Sequence, residues 1–260
     1  MPKGIGISVG IFAAAILANI LIGSVFAAIM PQQVALIFTQ FAAIGGLAFV
    51  INKSQDQPQF PYQPVNAGLI GLFILCLCAV AIQANLIMAV FAELVPFLQE
   101  NKELYEKMVR DLLRSESLAL NICAAIAVAL VAPICEEWLF RGAMLQAQFR
   151  AGMTVWGAIL LNGFLFSALH LNPIALLPLW IVGSLLAWSY WRTGSLLVPI
   201  IGHSALNTLN GVIMPFLIWD QEMPTDPPLR DLLLALLLFS TLVSGLLFIA
   251  TRTFPRRNHV

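Results

Sequence analysis

Aspartate, glutamate, lysine and arginine are absent from six long stretches of the chain: 4–52, 57–92, 117–135, 151–191, 193–219 and 232–251. A helix needs roughly 20 apolar residues to cross the hydrocarbon core of a bilayer, so these stretches count spans. The first is long enough for two, with a turn at Met30, Pro31, Gln32 and Gln33. The second opens with the prolines of Gln57 to Pro64 and leaves one span, and the fourth must turn back at Asn172 and Pro173. The predicted elements are eight transmembrane helices, at about 4–29, 33–52, 65–95, 117–149, 153–171, 173–191, 195–218 and 231–251. Continuous apolar runs, rather than short alternating ones, select helix over an outer-membrane barrel. The expected fold is therefore an all-α polytopic membrane protein, a single domain over 1–260 in which an eight-helix bundle encloses a polar cavity.

Composition agrees: 60% of residues are hydrophobic, 10% are charged, and mean hydropathy is +0.90, against about a quarter charged in soluble domains. Eight spans put both termini on one side, and the basic tail Arg252, Arg256, Arg257 assigns that side to the cytoplasm. Lys3, Lys53, Arg141, Arg150 and Arg192 then count as inside, against Lys102, Lys107, Arg110, Arg114 and Arg230 outside. Most of the exceptions fall in Pro96 to Glu116, where Leu104, Met108, Leu112 and Leu113 recur at helical spacing and predict an amphipathic surface helix. The apolar stretch from Gly4 to Met30 exceeds a secretion-signal core and reads as a retained first helix. Cys76, Cys78, Cys123 and Cys135 read as small apolar residues, and the acidic Asp220, Glu222 and Asp226 as a solvated outer loop.

Ionisable groups inside membrane spans are expensive and are candidates for function. Glu136, Glu137 and Arg141 lie on the fourth span, His170 on the fifth, and His203 with Asn207 on the seventh. Glu137 and Arg141 are i and i+4, acid before base, while Glu136 is turned away by about 100°. Phe166 and His170, and His203 and Asn207, repeat the i, i+4 spacing. A hairpin turning near Gly152 and Met153 brings Glu136 and His170 to one depth. A carboxylate kept from bulk water is a stronger base than a solvated one and can take a proton from a water that a histidine holds. Asparagine and a second histidine are suitable donors to the oxyanion formed when that water attacks a carbonyl. The set reads as hydrolysis of a peptide bond, and the chain has no His-Glu-x-x-His string.

Glu-Glu-x-x-x-Arg at 136–141, Phe-x-x-x-His at 166–170 and His-x-x-x-Asn at 203–207, in that order on successive helices, resemble the CAAX protease and bacteriocin-processing family. Its eukaryotic members are the Ras-converting, type II CAAX prenyl endopeptidases. The resemblance spans Glu136 to Asn207 and implies a protease core over 117–218. It implies an intramembrane endopeptidase in which Glu136 and His170 activate water, His203 and Asn207 form the oxyanion hole, and Glu137 with Arg141 completes the first motif. The implied partners are a membrane-tethered protein or peptide, prenylated or not, and the lipid bilayer, with no nucleic acid and no cofactor. Two alternatives stay open. One is a zinc-dependent form of the same protease, with His170, His203 and a glutamate as ligands. The other is a non-catalytic immunity or scaffold protein, or a transporter relaying protons through the same residues. A protease would need a cavity bounded by the fourth to seventh helices, open to the cytoplasm and sideways to lipid.

Overall fold

The computed structural model describes residues 3–213 and 229–255, and only the backbone of 92–94, 96, 99, 102, 103, 105 and 106. The acidic residues Asp220, Glu222 and Asp226, the end of the span expected at 195–218, and the tail residues Arg256, Arg257 and His259 lie outside the described residues. The described residues form helices and no strand. In chain order these are α1 (Lys3–Ile29), α2 (Gln32–Ser54), α3 (Ala67–Leu94), α4 (Pro96–Leu113), α5 (Leu118–Arg150), α6 (Val155–Leu169), α7 (Leu176–Thr193), α8 (Leu197–Ile213) and α9 (Leu229–Thr253).

Five of them, α1, α2, α3, α5 and α9, are long and apolar enough to cross a membrane; α6 and α8 are apolar but shorter. The protein is thus built as an integral membrane protein, and the fuller count of eight spans is taken up below as a proposal. The amphipathic stretch forms α4, with proline in its first turn, where its missing N–H is harmless. Leu113 is buried on α4, while Leu104 and Met108 face outward.

Caps and turns place the breaks. Asn66, Ser117 and Thr154 each accept a backbone N–H at the start of α3, α5 and α6. Gly152 (φ +79°) and Gly194 (φ +66°) take the left-handed conformation that ends α5 and α7. Asn172 accepts from the N–H groups of Ile174 and Ala175 and so shapes the turn that leads into α7.

Two apolar clusters organise the bundle. One joins α1, α2, α5 and α6 through Ile11, Ile44, Leu139, Phe140 and Phe166. The other joins α3, α6, α7 and α8 to the end of α9 through Phe73, Leu77, Leu186, Val198 and Phe254. Helix α5 runs between them. Helix α9 turns Leu233, Leu237, Leu238 and Leu242 outward, as a lipid-facing helix does.

Helix α5 is not a uniform α-helix. Its turns widen to i→i+5 spacing over Ala127–Val131 and again over Trp138–Met144, and α2 and α8 do the same at Gln40–Gly45 and Asn207–Ile213. Pro133 accounts for the first: its ring displaces the carbonyl four residues back, at Ala129, inside the widened turn. A widened turn leaves carbonyls that the ordinary ladder would have used, and side chains take them up. Asn207 donates to Val128 O (3.0 Å) and Asn162 to Phe140 O (2.8 Å). Asn52 donates to Gly142 O (3.1 Å) and accepts from Trp138 Nε1 (3.2 Å) in the amide orientation that satisfies both atoms. Three asparagines, from α2, α6 and α8, therefore staple α5 in its distorted form.

Candidate active site

Glu136 and Glu137 sit on the short regular stretch Ala132–Glu137, between the two widened turns of α5. Glu137 is the hub. Its Oε1 accepts from Arg141 Nη1 at 2.8 Å and lies 2.9 Å from His203 Nδ1. Arg141 Nη2 donates to Gly183 O at 2.6 Å, which fastens α5 to α7. Both Glu137 and Arg141 are completely buried. Sequence reasoning counted Arg141 among the basic residues of the cytoplasmic face; this is corrected, because its guanidinium is consumed inside the bundle by Glu137 and Gly183 and says nothing about orientation.

Phe166 is the second organiser. Arg141 lies over its ring at 4.7 Å, and the rings of Phe140, His170 and His203 meet it at 5.4, 5.0 and 5.5 Å. A Cβ on Gly183 would stand 2.8 Å from Phe166 Cδ1 and 3.1 Å from Gly163, so the approach of α6 to α7 at this point requires glycine. The sequence singled out Phe166 only for its spacing to His170. The glycine pair Gly163 and Gly183 carried a signal, since small residues mark close helix contacts, but nothing in the chain links either to Arg141.

Glu136 differs from its neighbour. It is 7% exposed and makes no hydrogen bond among the described residues. Glu137 Oε2 and Arg141 Nε are also buried and unpartnered there. His170 is the first residue beyond α6, exposed at the helix end, with Nδ1 2.9 Å from Phe166 O. That contact makes Nδ1 the protonated nitrogen and leaves Nε2 as the acceptor. His203, which is buried, directs Nδ1 to Glu137 and has Nε2 uncommitted. Asn207 spends one amide N–H on Val128 O and keeps the other. Glu137, Arg141 and His203 are thus joined by hydrogen bonds, His170 joins them through Phe166, and Asn207 is held to the same helix at Val128, about two turns before the acids.

Outside this cluster, three sequence features and two clefts resolve as follows. The four cysteines are free. Among the described residues, no three His, Cys, Asp or Glu side chains gather closely enough to hold a metal ion. The expectation that the chain has no Gly-x-Ser-x-Gly string is corrected: Gly6 to Gly10 is one, and it lies within α1. Its Ser8 is buried and bonded to Gly4 O and Gln148, unlike the exposed serine of a strand-to-helix nucleophile elbow. Two clefts, one beside Lys3 and Arg150 and one beside Asn19 and Met108, are lined by none of the six candidate site residues.

Residues 118–209 match the family model of the Rce1-like type II CAAX prenyl endopeptidases. The segment that carries the site is thus similar to the Rce1-like domain. It contains all six of Glu136, Glu137, Arg141, His170, His203 and Asn207, and with them Asn162, Phe166 and Gly183. An uncharacterized 24.3 kDa protein of Escherichia coli is 32% identical over 108 residues, 40% of this chain and 50% of that protein. The chain thus spans about half the length of the curated relative it matches. No solved structure matches it. The matched segment begins at α5 and ends within α8, so α1 to α4 and α9 lie outside it.

Proposed function

We propose that the protein is an intramembrane endopeptidase that cuts membrane-tethered protein tails with a water activated by Glu136. The observation that carries this reading is the division of labour between adjacent carboxylates. Glu137 is saturated on one oxygen by Arg141 and His203, while Glu136, 7% exposed beside it, makes no hydrogen bond among the described residues. A nearly buried carboxylate that no side chain engages by a hydrogen bond is free to take up a water, as a general base must. The Rce1-like match supports the same class of chemistry.

In the proposed reaction Glu136 removes a proton from water, and the resulting hydroxide adds to the peptide carbonyl carbon. His170 Nε2 accepts the other hydrogen of that water and aims it. The oxyanion is held by the second amide N–H of Asn207 and by His203 Nε2, which can donate while bonded to Glu137 only as the imidazolium. The C–N bond then breaks, Glu136 returns its proton to the leaving amine, and an acid and an amine are released. Glu137 and Arg141 position His203 and take no part in bond making. We place the depth of the site from helix length: α6 has 15 residues and so extends about 22 Å, short of a hydrocarbon core of about 30 Å. His170, at its end, then lies within the bilayer rather than at its far surface. This reading takes α6, α7 and α8 as spans beside the five long helices, with both termini cytoplasmic and the site reached from a cavity among α5 to α8 that opens to lipid.

The test is cleavage in detergent micelles of farnesylated and unmodified CAAX reporter peptides by wild type and Glu136→Gln. Loss of a general base lowers the rate by about 10²–10⁴-fold. Cleavage by Glu136→Gln at the wild-type rate refutes the assignment, and cleavage abolished by chelator moves the chemistry to a metal. If both proteins leave the two reporters and a broad peptide library intact, the protease reading falls.

A further inference from the structure

Outside the site, one cleft combines charge with position at the end of membrane-spanning helices. It has a volume of about 260 Å³ and is lined by Lys3 and Ile7 of α1, Gln55 beyond α2, and Ala147, Arg150 and Ala151 at the end of α5. Its two charged residues are both cations, and neither pairs with a carboxylate among the described residues. Arg150 donates from Nη2 to Gln55 Oε1, which holds the guanidinium at the cleft while leaving its other N–H groups available.

The walls are fixed as well. Gly4 is seated so closely on the α5–α6 turn that a Cβ there would meet the Met153 side chain and stand 3.4 Å from Ala151. One turn on, Gln148 donates to Ser8 Oγ at 2.9 Å, and Ser8 donates to Gly4 O at 2.7 Å. The first two turns of α1 are therefore locked to the end of α5, and the two cations are presented by a framework that needs no rearrangement to bind.

We infer that this cleft binds the phosphate of an anionic phospholipid headgroup. Lys3 opens an apolar helix of 27 residues and Arg150 closes one of 33, so both lie where a span meets the headgroup layer. The guanidinium fork suits phosphate oxygens, the ammonium supplies a second charge, and Ile7, Ala147 and Ala151 give the glycerol backbone an apolar wall. A bound lipid would bridge α1, which lies outside the Rce1-like match, to α5, which carries the acids.

The test titrates the purified full chain in micelles with phosphatidylglycerol, phosphatidylcholine or inorganic phosphate and follows the Tm. Phosphatidylglycerol is expected to raise the Tm of wild type, with phosphatidylcholine and inorganic phosphate having little effect. Each lost charge weakens a headgroup contact about fivefold, so Lys3→Gln and Arg150→Gln each raise the half-saturating lipid concentration about fivefold and the double variant about 25-fold. Lys3→Gln leaves the Arg150 to Gln55 bond intact and keeps the test valid if Arg150→Gln loosens the fold. Arg252→Gln, an exposed cation over Phe248 that does not line the cleft, should bind as wild type does. Equal response to both lipids, undiminished binding by the double variant, equal weakening by Arg252→Gln, or protection by inorganic phosphate alone would each overturn the proposal.

Discussion

Replacing Arg141 by methionine tests the hub of the site. The substitution keeps the length of the side chain and removes the 2.8 Å contact to Glu137, the 2.6 Å contact to Gly183 O and the cation over Phe166. Glu137 is left as a fully buried carboxylate with His203 as its one remaining partner among the described residues. Breaking a buried ion pair from one side costs about 3–5 kcal/mol, most of it the uncompensated charge that stays behind. At about 2–4 °C per kcal/mol, the midpoint of thermal unfolding in micelles should fall by roughly 10 °C. Glu137→Gln, which strands the guanidinium instead, should cost a similar amount. The double variant Glu137→Gln/Arg141→Met removes both charges, so it should cost less than the sum of the two singles by about 1–3 kcal/mol. Arg141→Lys keeps the charge but not the fork that reaches Glu137 and Gly183 together, and should fall between wild type and Arg141→Met. Additivity of the two single changes to within about 0.5 kcal/mol would refute the claim that Glu137 and Arg141 act as one buried unit.

Other consequences are open to direct measurement. Asn162→Leu strands the Phe140 carbonyl in the widened turn and should destabilise the protein by about 1–3 kcal/mol, read by thermal unfolding; an unchanged midpoint would mean the staple is not needed. Gly183→Ala drives a methyl to 2.8 Å from Phe166 and should cost about 1–3 kcal/mol, whereas Gly10→Ala, with nothing within 4 Å, should be close to neutral. Arg192, which donates to the carbonyls of Thr251, Phe254 and Pro255 at the end of α9, should on change to Gln speed hydrogen exchange over the last turn of that helix and leave α6 unchanged. In a variant without the four native cysteines, a cysteine at Lys53 should be labelled from the cytoplasm and one at Lys107 from the opposite side; both labelled from one side would overturn the proposed topology.

Much of the helical layout is legible in the sequence because one signal, the absence of charge, is long-range along the chain and needs no partner. The starts and stops follow from Asn66, Ser117, Thr154, Gly152 and Gly194, each of which acts on its own neighbours. The amphipathic helix at Pro96–Leu113 was legible for the same reason. At the site, the i, i+4 spacing of Glu137 and Arg141 anticipated their contact, and the widened turn did not break it. What the sequence withheld are contacts between distant segments. His203 bonds Glu137 through Nδ1, Asn207 spends an N–H on Val128, and Asn52, which drew no notice, holds Trp138 and Gly142. Arg141 was misread as a surface charge because a guanidinium next to a helix end looks alike whether it faces water or a carboxylate. Pro133 announces one widened turn, but the turn at Trp138–Met144 has no such residue and is upheld by side chains from α2 and α6.

The widened turns of α5 amount to extra residues carried in the helix, and this makes the site sensitive to deletion more than to substitution. Removing one residue from Ala127–Val131 would let that turn close to ordinary spacing and would rotate everything before it by about 100° relative to Glu136 and Glu137. Val128 would then leave Asn207, and the acids would meet α8 with a different face of α5 opposite them. A change of side chain at Ala127, Ala129 or Leu130 alters no register. Length, in this stretch, is the heritable feature that keeps Glu137 pointed at His203.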